Sequence, residues 1–60
     1  MDTFLDKFYH EKTKVTVCIT DATYFTGIIK GFNDTAIWLS TKYHELVIVN
    51  RNLITYIYEE

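Results

Sequence analysis

Arg51 sits between Asn50 and Asn52 in a polar tripeptide that separates two apolar runs, Val47-Ile48-Val49 and Leu53-Ile54. Its planar cationic fork suits phosphate oxygens or stacking on a base. The Asn50 amide offers both a donor and an acceptor to a base edge. The same residues have a plainer use: asparagine is a turn residue, and the arginine suits pairing with Glu45 or Asp34 of a neighbouring copy. Other reactive groups are scattered. His10 and His44 lie far apart, with no carboxylate at a spacing that suggests a metal or a base. Cys18 has no second cysteine and no clear activating cation beside it. No glycine-rich loop cradles phosphate, and no paired carboxylates are oriented for acid–base work. The chemistry on offer is binding, so the expectation is a non-enzyme without metal or cofactor.

The elements that must position these residues follow from hydrophobic spacing. Phe4, Leu5 and Phe8 fall on one side of residues 3–11, with Asp6, Lys7, His10 and Glu11 filling the other. This predicts a short amphipathic helix capped by Asp2 or Thr3. A helix under ~12–15 residues is marginal alone, so it must lie on something. Period-two alternation follows: Val15, Val17 and Ile19 face one way, Thr16, Cys18 and Thr20 the other. Asp21-Ala22 is the next turn. A long strand runs from Thr23 to about Phe32, and Gly27 and Gly31 inside it mark a bulge or sharp bend. Asn33-Asp34-Thr35 turns into a strand from Ala36 to Ser40. After a turn at Thr41–Tyr43, two strands are expected at Glu45–Val49 and Leu53–Tyr58, on either side of Asn50-Arg51-Asn52. Glu59-Glu60 reads as a solvated tail. A helix followed by five short, strongly bent antiparallel strands describes a mainly β chain closing into a small barrel. Residues 1–60 form one domain.

Size sets a stability problem. A chain of 60 residues buries only about 60% of its unfolded surface, and such a core supplies ~3–5 kcal/mol. One cysteine allows no internal disulfide, and no Cys/His cluster suggests a structural metal. Yet 48% of residues are apolar and 17% aromatic, too many for disorder. The remaining route to stability is burial against other copies. The net charge of −2 argues against general polyanion binding, but a ring that repeats one cation about an axis still builds a focused basic site. No apolar stretch approaches the ~20 residues of a membrane span, and the start has no signal-peptide layout. With the lone cysteine, the expected location is cytoplasmic.

The chain resembles the bacterial Hfq branch of the Sm-like proteins. The resemblance runs from Phe4-Leu5 to Thr55 with little or no gapping. FLDKFYHEKTKVTV is similar to the family's N-terminal helix and first strand. VTVCITDATYFTGIIKGFNDTAIWL is similar to its first Sm motif, with Gly27 at the bend glycine. VNRNLIT stands where the family has Tyr-Lys-His-Ala-Ile-Ser-Thr. The resemblance implies a homohexameric ring in which the fourth strand of one subunit pairs with the fifth of the next. It also implies single-stranded RNA as partner: U-rich at the pore, A-rich or purine-rich on the opposite face, with a basic rim that assists annealing.

Carried over by position, the pore set is Asn50, Arg51, Thr35 and Asp34. Thr35 replaces an aromatic on which uracil stacks, and Asp34 brings a charge that repels phosphate. The opposite face takes Cys18 at an aromatic platform position, with Thr23, Phe25, Thr26 and Thr55. The rim takes His10 and Lys12, where the family has an arginine cluster. Tyr24, Tyr43, Tyr56 and Tyr58 are able to stack on bases, although strand tyrosines more often pack across strands or at subunit contacts; Phe25 is more often a core or packing residue than a base platform, and Trp38 reads as packing. These substitutions shift the expectation to A-rich or purine-rich RNA, in a chaperone or post-transcriptional regulator of altered specificity. The alternative is an interaction protein that has lost RNA binding and forms mixed rings with a related Hfq. A second rival is a monomeric or dimeric barrel adaptor that binds peptides through its tyrosines.

Overall fold

The structure is a computed structural model that describes residues 3–20 and 23–60. Helix α1 (Thr3–Glu11) precedes strands β1 (Lys14–Ile19), β2 (Tyr24–Phe32), β3 (Ala36–Thr41), β4 (Val47–Asn50) and β5 (Ile54–Glu59), with a single 3-10 turn at Arg51–Leu53. The expected Asp21-Ala22 turn and Asp2 cap lie outside the described residues. The strands form one antiparallel sheet in the order β4-β3-β2-β1-β5. β4 and β5 are neighbours in sequence and occupy opposite edges. A three-residue turn joins them, so the sheet must roll up until its edges approach. The expected helix and bent five-stranded barrel are both present.

The core is aliphatic and shared by every element except β5. Val15, Val17, Ile29, Ile37, Leu39 and Val49 are buried, and α1 adds Leu5. Each such side chain contributes about 1.5–3 kcal/mol relative to exposure. Phe8, Phe25, Phe32, Ile54 and Ile57 pack around this centre. Tyr9 meets Phe32 edge to face with ring centres 6.1 Å apart, which ties α1 to β2. The helix ends where Lys12 turns left-handed at φ 54°. The Lys12 amide donates to the Tyr9 carbonyl and the Thr13 amide to that of Phe8. This is the Schellman bonding pattern, in which glycine is the usual residue at the left-handed position.

The two glycines of β2 are needed for different reasons. A Cβ on Gly27 would overlap the Ser40 carbonyl oxygen, so this position lets two backbones meet closely. At Gly31 a Cβ would fall 2.6 Å from the indole nitrogen of Trp38, which packs over the glycine. The β2–β3 register shifts between Ile29 and Gly31, which makes Lys30 the bulge.

Several expected boundaries move. β4 starts at Val47 rather than Glu45, because Thr41 holds a turn that reaches His44: its amide donates to the His44 carbonyl, and its hydroxyl accepts from the Tyr43 and His44 amides. The same turn keeps Thr41 in β3. Leu53 belongs to the 3-10 turn and not to β5. Lys14 opens β1 one residue before Val15, and β2 opens at Tyr24 rather than Thr23. The acidic end is no free tail. Glu59 pairs with Val15 as the last residue of β5. The Glu60 amide donates to the Lys14 carbonyl, and its carboxylate accepts from the Thr16 hydroxyl at 2.6 Å.

Candidate nucleic-acid interface

Three of the four pore-set residues, Thr35, Asn50 and Arg51, converge, and Asp34 lies in the same β2–β3 turn as Thr35. Asn33 organises the β2–β3 turn: its side-chain oxygen accepts from the Thr35 amide, the Thr35 hydroxyl and the Ala36 amide at 2.8, 3.0 and 2.9 Å. The Thr35 carbonyl then accepts from the Arg51 amide at 2.9 Å. Ala36 pairs with Asn50 across β3 and β4. Asn50 caps the 3-10 turn by accepting from the Asn52 amide at 2.9 Å. The Arg51 guanidinium donates from Nη1 to the Asn33 carbonyl at 2.6 Å. Both side chains at the tip of this loop therefore have work within the subunit. Arg51 reaches across to a backbone carbonyl of its own chain.

The opposite-face set is divided by the strand period. Cys18 pairs with Tyr24 of β2 on one side and Tyr56 of β5 on the other. One face of the sheet therefore presents Thr16 and Cys18, Tyr24 and Thr26, Tyr56 and Tyr58. Phe25 pairs with Val17 on the other face and packs half-buried against the core. Cys18, Thr23 and Thr55 line one concavity of about 430 Å³ together with Tyr24, Tyr56 and Tyr58. The Thr55 hydroxyl donates to the Cys18 carbonyl at 3.1 Å, across the bulge that shifts the β1–β5 register. Thr26 bonds the buried Thr16 hydroxyl at 2.9 Å.

Within the subunit the tyrosines of this face are open: Tyr24 is 65% exposed, Tyr56 59% and Tyr58 48%. The Tyr56 and Tyr58 rings stack 6.0 Å apart at 23°. A hydrogen bond to Cys18, then the electrostatics of that sulfur, hold the Tyr56 phenol above its ordinary pKa of 10.0. Tyr56 thus keeps its proton at neutral pH. Cys18 thus lies between two aromatic cross-strand neighbours, Tyr24 and Tyr56. The i, i+2 spacing of Tyr56 and Tyr58 was the signal for a shared face; their exposure was not readable from it.

At the helix end, His10 and Lys12 line a shallow depression with Tyr9 and Lys30. His10 approaches Asp6 at 3.3 Å, one helical turn away, and Tyr9 meets the His10 ring edge-on. Lys30 is the residue that sequence reasoning missed. It is exposed on the outward side of β2 and lines the depression with Lys12, so this edge carries two lysines.

Among the described residues no group of histidines, cysteines and carboxylates is arranged to hold a metal ion, and no helix is long and apolar enough to cross a membrane. No protein-family model matches the chain, and no curated protein matches it significantly. Among solved structures the chain is similar to a 1.55 Å crystal structure of the pleiotropic translational regulator Hfq. The TM-score is 0.92 at 20% sequence identity, covering 100% of this chain and 89% of that one. Helix, strand order and bend are shared, so the fold is the Sm-like fold of Hfq.

Proposed function

We propose, from that fold, that the protein is a ring-forming, non-enzymatic binder of single-stranded RNA. It acts as an RNA chaperone or post-transcriptional regulator whose base preference differs from that implied by its pore motif. The observation that carries this reading is the open tyrosine face, where Tyr24, Tyr56 and Tyr58 surround Cys18 and Thr55. Base–aromatic stacking is worth about 1–3 kcal/mol per base, and a ring repeats the face in every subunit. A-rich or purine-rich strands suit it, because stacking strength grows with the size of the base. The pore loop is secondary. Thr35 offers no platform, and Asn50 and Arg51 already bond within the subunit.

Assembly supports the same reading. β4 and β5 each present a sheet edge, and Ile48 on β4 is 67% exposed. Pairing β4 of one copy with β5 of the next satisfies both edges and adds the apolar burial that a chain of this size needs. A homohexamer is the ring size this reading adopts, and the cytoplasm its setting.

Native mass spectrometry with short A-rich and U-rich RNA tests both parts. A six-fold mass that gains the A-rich strand, and loses that uptake on Tyr56→Ala, is the expected result. A six-fold mass that takes up neither strand overturns RNA binding and favours the interaction protein, which mixed rings with an ordinary Hfq would then reveal. A monomer or dimer overturns the ring.

A further inference from the structure

A second concave surface lies beyond the tyrosine face. The β2–β3 pairing stops at Gly27 and Thr41, so Tyr24, Phe25 and Thr26 run on past the end of β3. There the chain turns away through Thr41–His44. The groove between has a volume of about 760 Å³, within the ~300–1,000 Å³ range of small-ligand sites. Lys14, Tyr24 and Phe25 form one wall, and Lys42, Tyr43 and His44 the other. Among the described residues no carboxylate lines it, although the chain as a whole carries a net charge of −2. The Glu60 carboxylate, close to Lys14 in the β1–β5 pair, is taken by the Thr16 hydroxyl.

The turn is built to present its side chains. Thr41 bonds the turn from both its amide and its hydroxyl, so holding Lys42 and Tyr43 outward costs little further ordering. Tyr43 is 80% exposed, and the Lys42 ammonium stands 5.7 Å from the centre of its ring. Tyr24 lines both this groove and the tyrosine concavity. The two concavities therefore adjoin at Tyr24.

We propose that this groove is a second RNA subsite, which continues the strand held on the tyrosine face. Tyr43 stacks one base, and Lys42 and Lys14 neutralise the phosphates on either side. The inference rests on the RNA-binding reading above and extends it to a longer footprint per subunit.

The test is a fluorescence-anisotropy titration of the intact protein with single-stranded adenosine oligonucleotides of increasing length, at several salt concentrations. Wild type is compared with Tyr43→Ala, Lys42→Ala, Lys42→Arg and Tyr56→Ala, native mass confirming that each assembles as wild type does. The shortest strand, held by the tyrosine face alone, should bind equally to wild type and the groove variants. Longer strands should gain affinity on wild type, and Tyr43→Ala should reduce that gain at least about five-fold. Lys42→Ala should lower the salt slope by about 0.7 for each phosphate that it no longer neutralises, and Lys42→Arg should restore it. Groove variants that keep both the length gain and the slope overturn the subsite, while weaker binding on Tyr56→Ala leaves the tyrosine face standing. A wild type that binds no strand of any length overturns both. Polyglutamate uptake that Lys42→Ala abolishes, with RNA binding unchanged, overturns the subsite in favour of an acidic protein partner.

Discussion

The Arg51 guanidinium and the Asn33 carbonyl meet at 2.6 Å, eighteen positions apart in the chain. This bond spans the gap between the β2–β3 turn and the 3-10 turn after β4, the two loops that the pore set occupies. Arg51→Ala is expected to loosen that junction and cost about 1 kcal/mol, the usual worth of such a bond. Chemical denaturation reads the loss. If Arg51 also meets RNA, the same variant lowers the salt slope of binding and Arg51→Lys retains it. An unchanged slope in Arg51→Ala assigns the residue to structure alone.

The two glycines should separate cleanly in a stability assay. Gly27→Ala drives a methyl group into the Ser40 carbonyl, which is sheet backbone and has nowhere to go. Gly31→Ala meets the Trp38 ring at 2.6 Å, and a half-buried side chain has room to shift. Overpacking costs typically about 1–3 kcal/mol, so Gly31→Ala belongs in that range and Gly27→Ala beyond it. Equal melting temperatures for the two variants would contradict the close approach at Gly27.

Lys12 holds a left-handed conformation that costs an L-residue roughly 1–2 kcal/mol and glycine almost nothing. Lys12→Gly is therefore expected to stabilise the fold by up to about 1 kcal/mol, after the added freedom of the unfolded glycine is subtracted. A domain of this size then melts about 4–8 °C higher. Thermal unfolding followed by circular dichroism decides it, and a lower melting temperature would deny the Schellman cap.

Much of this architecture was legible in the sequence. Val15, Val17, Ile37 and Leu39 alternate as core strands should, and Gly31 marked the bulge in β2. What alternation could not show is a residue buried on the outward face. Thr16 reads as the outward partner of Val15 and Val17, yet it is 2% exposed, because Thr26 and Tyr58 flank it on the paired strands and the Glu60 carboxylate bonds its hydroxyl. The bulge in β2 defeats alternation in another way: Phe32 shares the even positions of the outward Tyr24, Thr26 and Lys30, yet beyond the register shift it packs against the core. The tyrosine face was hidden by position-by-position comparison, which looks for an aromatic at Cys18 and finds it instead one strand away on either side. Exposure is a property of the whole sheet, and no single strand carries it.

The Thr16 hydroxyl bonds both the Thr26 hydroxyl at 2.9 Å and the Glu60 carboxylate at 2.6 Å. Thr16→Val preserves shape and strands both partners, so a loss of about 1–2 kcal/mol is expected. A double-mutant cycle with Glu60→Ala identifies the share that passes through the carboxylate. Coupling above about 0.5 kcal/mol means the last residue is part of the fold. Strict additivity would restore it to a solvated tail.

Tyr56 gives a spectroscopic handle on the proposed RNA face. Its phenol is held above the ordinary 10.0 chiefly by the hydrogen bond to Cys18, with smaller contributions from the electrostatics of that sulfur, desolvation and Tyr58. The folded state therefore favours the protonated phenol. The stabilisation this brings is fully present below pH 10 and is lost as pH rises through the folded pKa. Cys18→Ala removes the largest cause, so the phenolate absorbance of Tyr56 should appear at lower pH than in wild type, with Tyr56→Phe identifying which tyrosine contributes. The consequence for RNA is separable, since Tyr56→Phe retains the ring and should retain stacking, whereas Tyr56→Ala removes it. Affinity that falls equally in both variants would mean that the hydroxyl, and not the ring face, carries the contact.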